Sequence, residues 1–222
     1  MGKLEAGYAR SILALGPPHS GKSVLSYLLF KYLRSNGNDA ALFDCDIFSP
    51  TFRVHHIASE DELRHIYCPP NAQKLAEDVP LTVFEKVMEY TFLSVREKGI
   101  IVMDGLGKHS DKTQALLNRT QTIVIVCKDG CPEAELISCG YTRDGRGCLP
   151  SEFYSGAKPI SFRVTTRIGV GESNVNYENR TAELYGLSRS GIVRGDIISI
   201  PNNTCEIVKG IMRLICDSNS GK

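Results

Sequence analysis

Eight residues near the N-terminus constrain this chain more than any others: Gly16-Pro17-Pro18-His19-Ser20-Gly21-Lys22-Ser23. They satisfy G-x-x-x-x-G-K-[ST], the pattern of a phosphate-binding loop. The apolar run Ser11-Ile12-Leu13-Ala14-Leu15 ahead of them reads as a buried strand. Behind them Val24, Leu25, Leu28, Leu29, Tyr32 and Leu33 recur on one helical face. A strand that delivers into a glycine loop which then opens a helix is the setting in which this motif holds phosphate.

The residue types follow from the chemistry. Gly16 and Gly21 let the backbone turn back and aim successive N–H groups at phosphate oxygens. The helix that starts near Gly21 adds its positive end. Lys22 supplies a point charge to the outer phosphates, and the Ser23 hydroxyl is suited to Mg²⁺. Pro17, Pro18, His19, Ser20 and Val24 complete the nucleotide-contacting stretch, His19 through its backbone.

The rest of the chain alternates strand and helix signals, which predicts an α/β fold: three layers of the P-loop NTPase type with a mostly parallel sheet. Ala40 to Phe43 reads as a second strand after the Asn36-Gly37 stop. Ser59-Glu60-Asp61-Glu62 reads as a capping box opening a short helix towards Tyr67, and Thr82-Val83-Phe84-Glu85 as another opening a longer one. Residues 71–78 and the stretch after Pro132 read as further helices. Ile100 to Met103 and Gln121 to Cys127 are continuous apolar runs, as central parallel strands are. Ile160 to Ile168 alternates as a strand, Glu178 to Leu187 reads as helix, Ile197 to Ile200 as a last strand, and Asn203 as the cap of a final helix.

A phosphate-loop enzyme needs an acid at the end of a buried strand to hold its metal. Asp104, directly after the run Ile100 to Met103, meets that requirement, and Gly105-Leu106-Gly107 would let the backbone pass the γ-phosphate. Asp44 and Asp46 end the second strand, at the lip where open sheets bind ligands. Either is suited to act as a general base or to support the metal, and the pattern does not separate them. Arg143 and Arg146 in a glycine-rich stretch are candidates for a lid, with Arg163, Arg167 and Arg180 as rivals.

Composition narrows the class. With 222 residues, 42% hydrophobic and 23% charged, the chain suits one globular domain spanning 1–222, with 140–190 as a lid, substrate or partner region. A net charge of +1 gives no large basic field for DNA or a membrane surface. No apolar run has transmembrane length, and no signal-peptide pattern opens the chain, so a cytoplasmic location is expected. The eight cysteines lack the paired C-x-x-C spacing of a zinc site. No N-K-x-D guanine signature ends any strand, which favours ATP over GTP; Lys128-Asp129 comes nearest and lacks the Asn.

Gly16 to Leu25 resembles the loop of the AAA-like P-loop domain associated with the CRISPR type III ring nuclease family. The segments Ile101-Val102-Met103-Asp104 and Asn118 to Val126 resemble the same domain, so that the likeness spans about the first 130 residues. It implies an ATP-hydrolysing domain linked to RNA or cyclic oligoadenylate signalling, although the ring nuclease domain itself is missing. Asp44-Cys45-Asp46-Ile47-Phe48-Ser49-Pro50-Thr51 is similar to the second-strand motif of MinD/Mrp-type ATPases and of Clp1/Grc3 polynucleotide kinases. In those families an aspartate there lies near the metal and the attacking group. The early second lysine of the MinD-type loop is replaced here by Pro17-Pro18.

The expectation is therefore a Mg²⁺-dependent ATP-binding NTPase whose hydrolysis is coupled to a partner, with self-association left open. A kinase acting on a nucleotide, an RNA end or a small metabolite, and a non-catalytic nucleotide-sensing module, are the alternatives.

Overall fold

A computed structural model describes residues 10–45, 59–69, 79–96, 99–128, 130–131, 160–167, 174–176, 181–185 and 209. The first strand, β1 (Arg10–Leu15), feeds the glycine loop, and α1 (Lys22–Ser35) follows it. β2 (Ala40–Asp44) comes next, then the short α2 (Glu60–Leu63) and the edge strand β3 (Ile66–Tyr67). α3 (Leu81–Leu93), β4 (Ile100–Asp104), α4 (Asp111–Leu117) and β5 (Thr122–Lys128) complete the well-packed half. β6 (Ile160–Arg167), β7 (Asn174–Asn176) and β8 (Thr181–Tyr185) extend the sheet.

The eight strands form one sheet in the order β3-β2-β4-β1-β5-β6-β8-β7. All pairings are parallel except β7 with β8. β1 lies between β4 and β5, so the loop leaving it emerges where the strand order reverses. That is the crevice in which open α/β sheets bind ligands.

Alternation along the strands sorts the two faces. Leu13, Leu15, Phe43, Cys45, Ile101, Met103, Ile123, Ile125 and Cys127 join Phe84, Met88 and Phe92 of α3 and Ala115, Leu116 and Leu117 of α4 in one core. Each fully buried side chain of this size contributes roughly 1.5–3 kcal/mol relative to exposure. Phe43 and Phe84 anchor the contact, with ring centroids 5.4 Å apart. α1 covers the opposite face, packing on β1, β2 and β4. The molecule therefore has the three layers expected, helix on sheet on helix.

Local signals explain most boundaries. α1 stops because Gly37 takes φ 76° and turns the chain, while Asn38 donates its backbone N–H to Leu33 O at 3.0 Å. The Ser59 capping box is present as expected, with reciprocal Ser59–Glu62 bonds. α2 is shorter than expected, however: it ends at Leu63, and residues 66–67 pair with β2 as a strand. α3 begins at Leu81 after Pro80, so Thr82 lies in its first turn rather than capping it. A capping box instead opens α4, where Ser110 and Thr113 bond reciprocally.

The helix expected over 178–187 is a correction: residues 181–185 form β8, paired with β6 and β7. Pairing on both sides outweighs the helical preference of Glu183 and Leu184. The expected elements at 71–78, after Pro132 and at 197–200 lie outside the described residues, as does the final helix apart from Lys209.

Candidate functional site

The loop from Gly16 to Ser23 is held from below and folded around itself. Gly16 has φ 148°, and a Cβ there would lie 1.9 Å from Val126 O, so only glycine lets the chain pass over β5. His19 (φ 60°) and Gly21 (φ 93°) both adopt left-handed backbone. For His19 this is an uncommon state, of the kind found in ligand-cradling turns. The Ser20 N–H donates to Pro17 O at 3.3 Å, closing the turn, and Leu25 N–H donates to Gly21 O at 3.1 Å as α1 begins. Pro18 and His19 are exposed at the rim, whereas Pro17, Ser20 and Val24 are buried and Ser23 is half-buried.

Lys22 sits at the start of α1 and is 8% exposed. Its Nζ donates to Pro17 O at 3.0 Å, which curls the side chain back over the loop. The ammonium thus lies inside the turn that its own backbone forms.

Asp104 ends β4 with 2% exposure, and Asp44 ends β2 with 0% exposure. The two are register partners on neighbouring parallel strands. Strand spacing sets their backbones about 4.8 Å apart, and register partners share a face. That face belongs to α1, because Ser26 Oγ donates to Asp104 Oδ1 at 3.4 Å. The backbone at Asp104 is fixed on both sides: Cys45 N–H donates to Asp104 O at 3.0 Å, and Gly105 N–H donates to Ala14 O at 2.9 Å. Asp46, Arg143, Arg146 and Arg180 lie outside the described residues. Arg163 and Arg167 fall within β6.

The two glycines after Asp104 do different work. Gly105 is pressed beneath β1, where a Cβ would meet Ala14 O at 2.5 Å. Gly107 reaches the phosphate loop itself, and a Cβ there would stand 2.9 Å from Pro18 Cγ. His109, further along, has its pKa pushed down by burial.

Ser26 escapes a motif reading because it is a small polar residue among apolar ones. The signal lies in helical spacing: it follows Lys22 by four residues and Ser23 by three, on the side of α1 that faces the sheet. Tyr27, the next residue, donates to Glu62 Oε2 at 2.8 Å, and Lys31 pairs with Glu62 at 3.4 Å. Burial opposes ionisation of Glu62, yet the bonds from Ser59 and Tyr27 and the charge of Lys31 hold its pKa below the usual carboxylate value. The same cluster, with burial the larger cause, raises the Tyr27 phenol. It ties α1 to the segment that leads into β3.

The donor set fits a hard divalent cation. Ser23 and Asp104, with Asp44 beside it, offer oxygen only, the ligand type that Mg²⁺ selects. Among the described residues no group of three or more His, Cys, Asp or Glu could hold a metal by itself. A Mg²⁺ site here would take one or two carboxylates and complete its shell with phosphate and water, as such sites do.

Solved structures share this architecture. The MinD cell division protein of Aquifex aeolicus superposes with a TM-score of 0.59, covering 94% of this chain and 97% of that one at 12% identity. The septum site-determining protein MinD of Pyrococcus horikoshii, complexed with Mg-ADP, gives 0.58 over 96% and 98% at 11% identity. A putative plasmid partition protein from Borrelia burgdorferi bound to AMPPNP gives 0.57 over 95% and 99% at 12% identity. The chain has the P-loop NTPase fold.

Neither the protein-family models nor the curated proteins give a match. Within the P-loop NTPase fold of this chain, the loop, Lys22, Ser23 and Asp104 gather at the C-terminal ends of β1 and β4. No described helix is long and apolar enough to cross a membrane.

Proposed function

We propose that this chain binds Mg²⁺–ATP in the loop from Gly16 to Val24 and hydrolyses it, with turnover coupled to a partner. The observation that carries the reading is a buried lysine at a glycine-loop helix start together with two buried, in-register carboxylates at the ends of β2 and β4. A site retired from nucleotide chemistry has no reason to keep two buried acids side by side.

Roles follow from placement. Backbone N–H groups of the loop and the N-terminus of α1 receive the phosphates. Lys22 exchanges Pro17 O for a phosphate oxygen, where its charge opposes the negative charge of the transferring group. Ser23 and Asp104 would hold Mg²⁺, which when bound would neutralise charge on the outer phosphates. Asp44 would accept a proton from the attacking water, with Asp46 as the alternative for that role. Gly107, where an added Cβ would stand 2.9 Å from Pro18 Cγ, brings the loop after Asp104 close to the phosphate loop.

Support for ATP and for partner coupling comes from the structural neighbours. One MinD is complexed with Mg-ADP, the partition protein is bound to AMPPNP, and Aquifex MinD has been solved as a complex with MinC. The defence-linked form of the proposal rests on the resemblance of Gly16 to Leu25, and names RNA or a cyclic oligoadenylate as the stimulus.

The test is ADP release from Mg²⁺–ATP, alone and with RNA, cyclic oligoadenylates and a panel of nucleosides. Mg²⁺-dependent release lost in Lys22→Ala supports the proposal. Release only with a hydroxyl-bearing acceptor that becomes phosphorylated replaces it with a kinase. Tight ATP binding with no release replaces it with a sensing module.

A further inference from the structure

We infer that Ser26 is a positioning residue for the metal-binding carboxylate, setting where Asp104 stands relative to Ser23 and Lys22. The inference rests on the proposed Mg²⁺–ATP site and adds a residue that the phosphate-loop motif does not contain.

Three observations carry it. Ser26 is fully buried at 0% exposure, in a helix whose buried residues include the apolar Val24, Leu25, Leu29 and Phe30. A hydroxyl in such surroundings is costly unless it is hydrogen-bonded. Its Oγ donates to Asp104 Oδ1 at 3.4 Å, a long bond across the α1–β4 contact that would strengthen if the carboxylate moved slightly towards the helix. Third, Ser23 and Ser26 are three residues apart on one helix, so their hydroxyls project from neighbouring points on one side of a rigid rod.

The consequence is geometric. The backbone of Asp104 is fixed by the sheet, through Cys45 N–H on one side and the Gly105–Ala14 bond on the other. A bond from Ser26 holds Oδ1 from the helix side and so bears on how the carboxylate is turned. Because Ser23 and Ser26 belong to one helix, any displacement of the phosphate loop carries both donors together. The distance between the two metal-side oxygens is thereby kept. Asp44, standing beside Asp104 on the same face, makes this orientation matter more.

The role predicts a specific thermodynamic signature. Loss of Ser26 weakens the coupling between Mg²⁺ and ATP while leaving metal-free ATP binding intact, because the loop and Lys22 are unaltered. ATP affinity of the full chain is measured by calorimetry in EDTA and across a Mg²⁺ titration, for the wild type, Ser26→Ala and Ser26→Cys. Ser26→Ala is expected to raise the half-saturating Mg²⁺ concentration roughly tenfold, equivalent to about 1.4 kcal/mol. Its affinity for ATP in EDTA should match that of the wild type. Ser26→Cys, of nearly equal volume but with a weak donor, should fall between the two.

An unchanged Mg²⁺ half-point in Ser26→Ala overturns the inference while leaving the Mg²⁺–ATP site standing. Equal losses of ATP affinity with and without Mg²⁺ also overturn it, since they mark Ser26 as a packing residue. A wild-type protein whose ATP affinity ignores Mg²⁺ overturns the proposed site and this inference with it.

Discussion

Asp44 and Asp104 stand opposite each other on β2 and β4, both buried, at the end of the sheet where the phosphate loop begins. Two carboxylates at strand spacing repel when both are ionised, and burial strengthens the repulsion. A cation bound beside them would offset that repulsion.

A loss of function follows for Asp44→Asn. Mg²⁺-dependent ADP release should fall by at least about tenfold, in line with loss of a general base. Turnover of the variant, shown by a thermal melt to be folded, measures this, and full turnover would contradict the account.

The glycines offer a comparison within one chain. Gly16→Ala places a Cβ 1.9 Å from the Val126 carbonyl, against backbone that cannot give way. Gly37→Ala meets nothing within 4 Å and suffers only from its φ of 76°. Gly37→Ala should cost roughly 1 kcal/mol, and Gly16→Ala at least about 3 kcal/mol, among the larger effects of single substitutions. Urea denaturation of the two variants measures the difference, and equal costs would contradict the packing of the loop on β5.

Stability should fall in acid with an identifiable part from Glu62. Its pKa is lower in the folded than in the unfolded chain, so the folded state binds fewer protons as pH drops. The contribution is therefore complete above the ordinary carboxylate value near 4.3 and is lost as pH falls through the lowered one. Tyr27→Phe removes a bond that holds the pKa down and should move the Glu62 titration upward, as followed by NMR. His109 acts with the same sign at higher pH. Burial lowers its pKa, so stability declines as pH falls below about 6.5. His109→Gln should flatten that part of the profile.

Much of this site was legible in the sequence, for physical reasons that differ by residue. The loop and Asp104 announce themselves because each follows a continuous apolar run, the mark of a strand buried on both faces. Asp44 was legible as a candidate, but not its depth: β2 runs one residue further than its apolar letters, and pairing with β4 carries the aspartate inside. Ser26 was hidden because its meaning depends on a partner 78 residues away. α4 was missed because its capping box closes with Thr113 rather than Glu or Gln. Local preference over 181–185 favours helix, and pairing with β6 and β7 decides otherwise.

The central claim is that Lys22, curled onto Pro17 O, turns to a nucleotide phosphate in a Mg²⁺-supported site. Calorimetric titration of ATP into the wild type and Lys22→Ala, with Mg²⁺ and with EDTA, tests it most directly. The account predicts binding to the wild type that tightens with Mg²⁺. In Lys22→Ala the affinity should drop by roughly 1.5–3 kcal/mol, the usual contribution of a hydrogen bond to a charged group. Equal ATP affinity in the two proteins would contradict it.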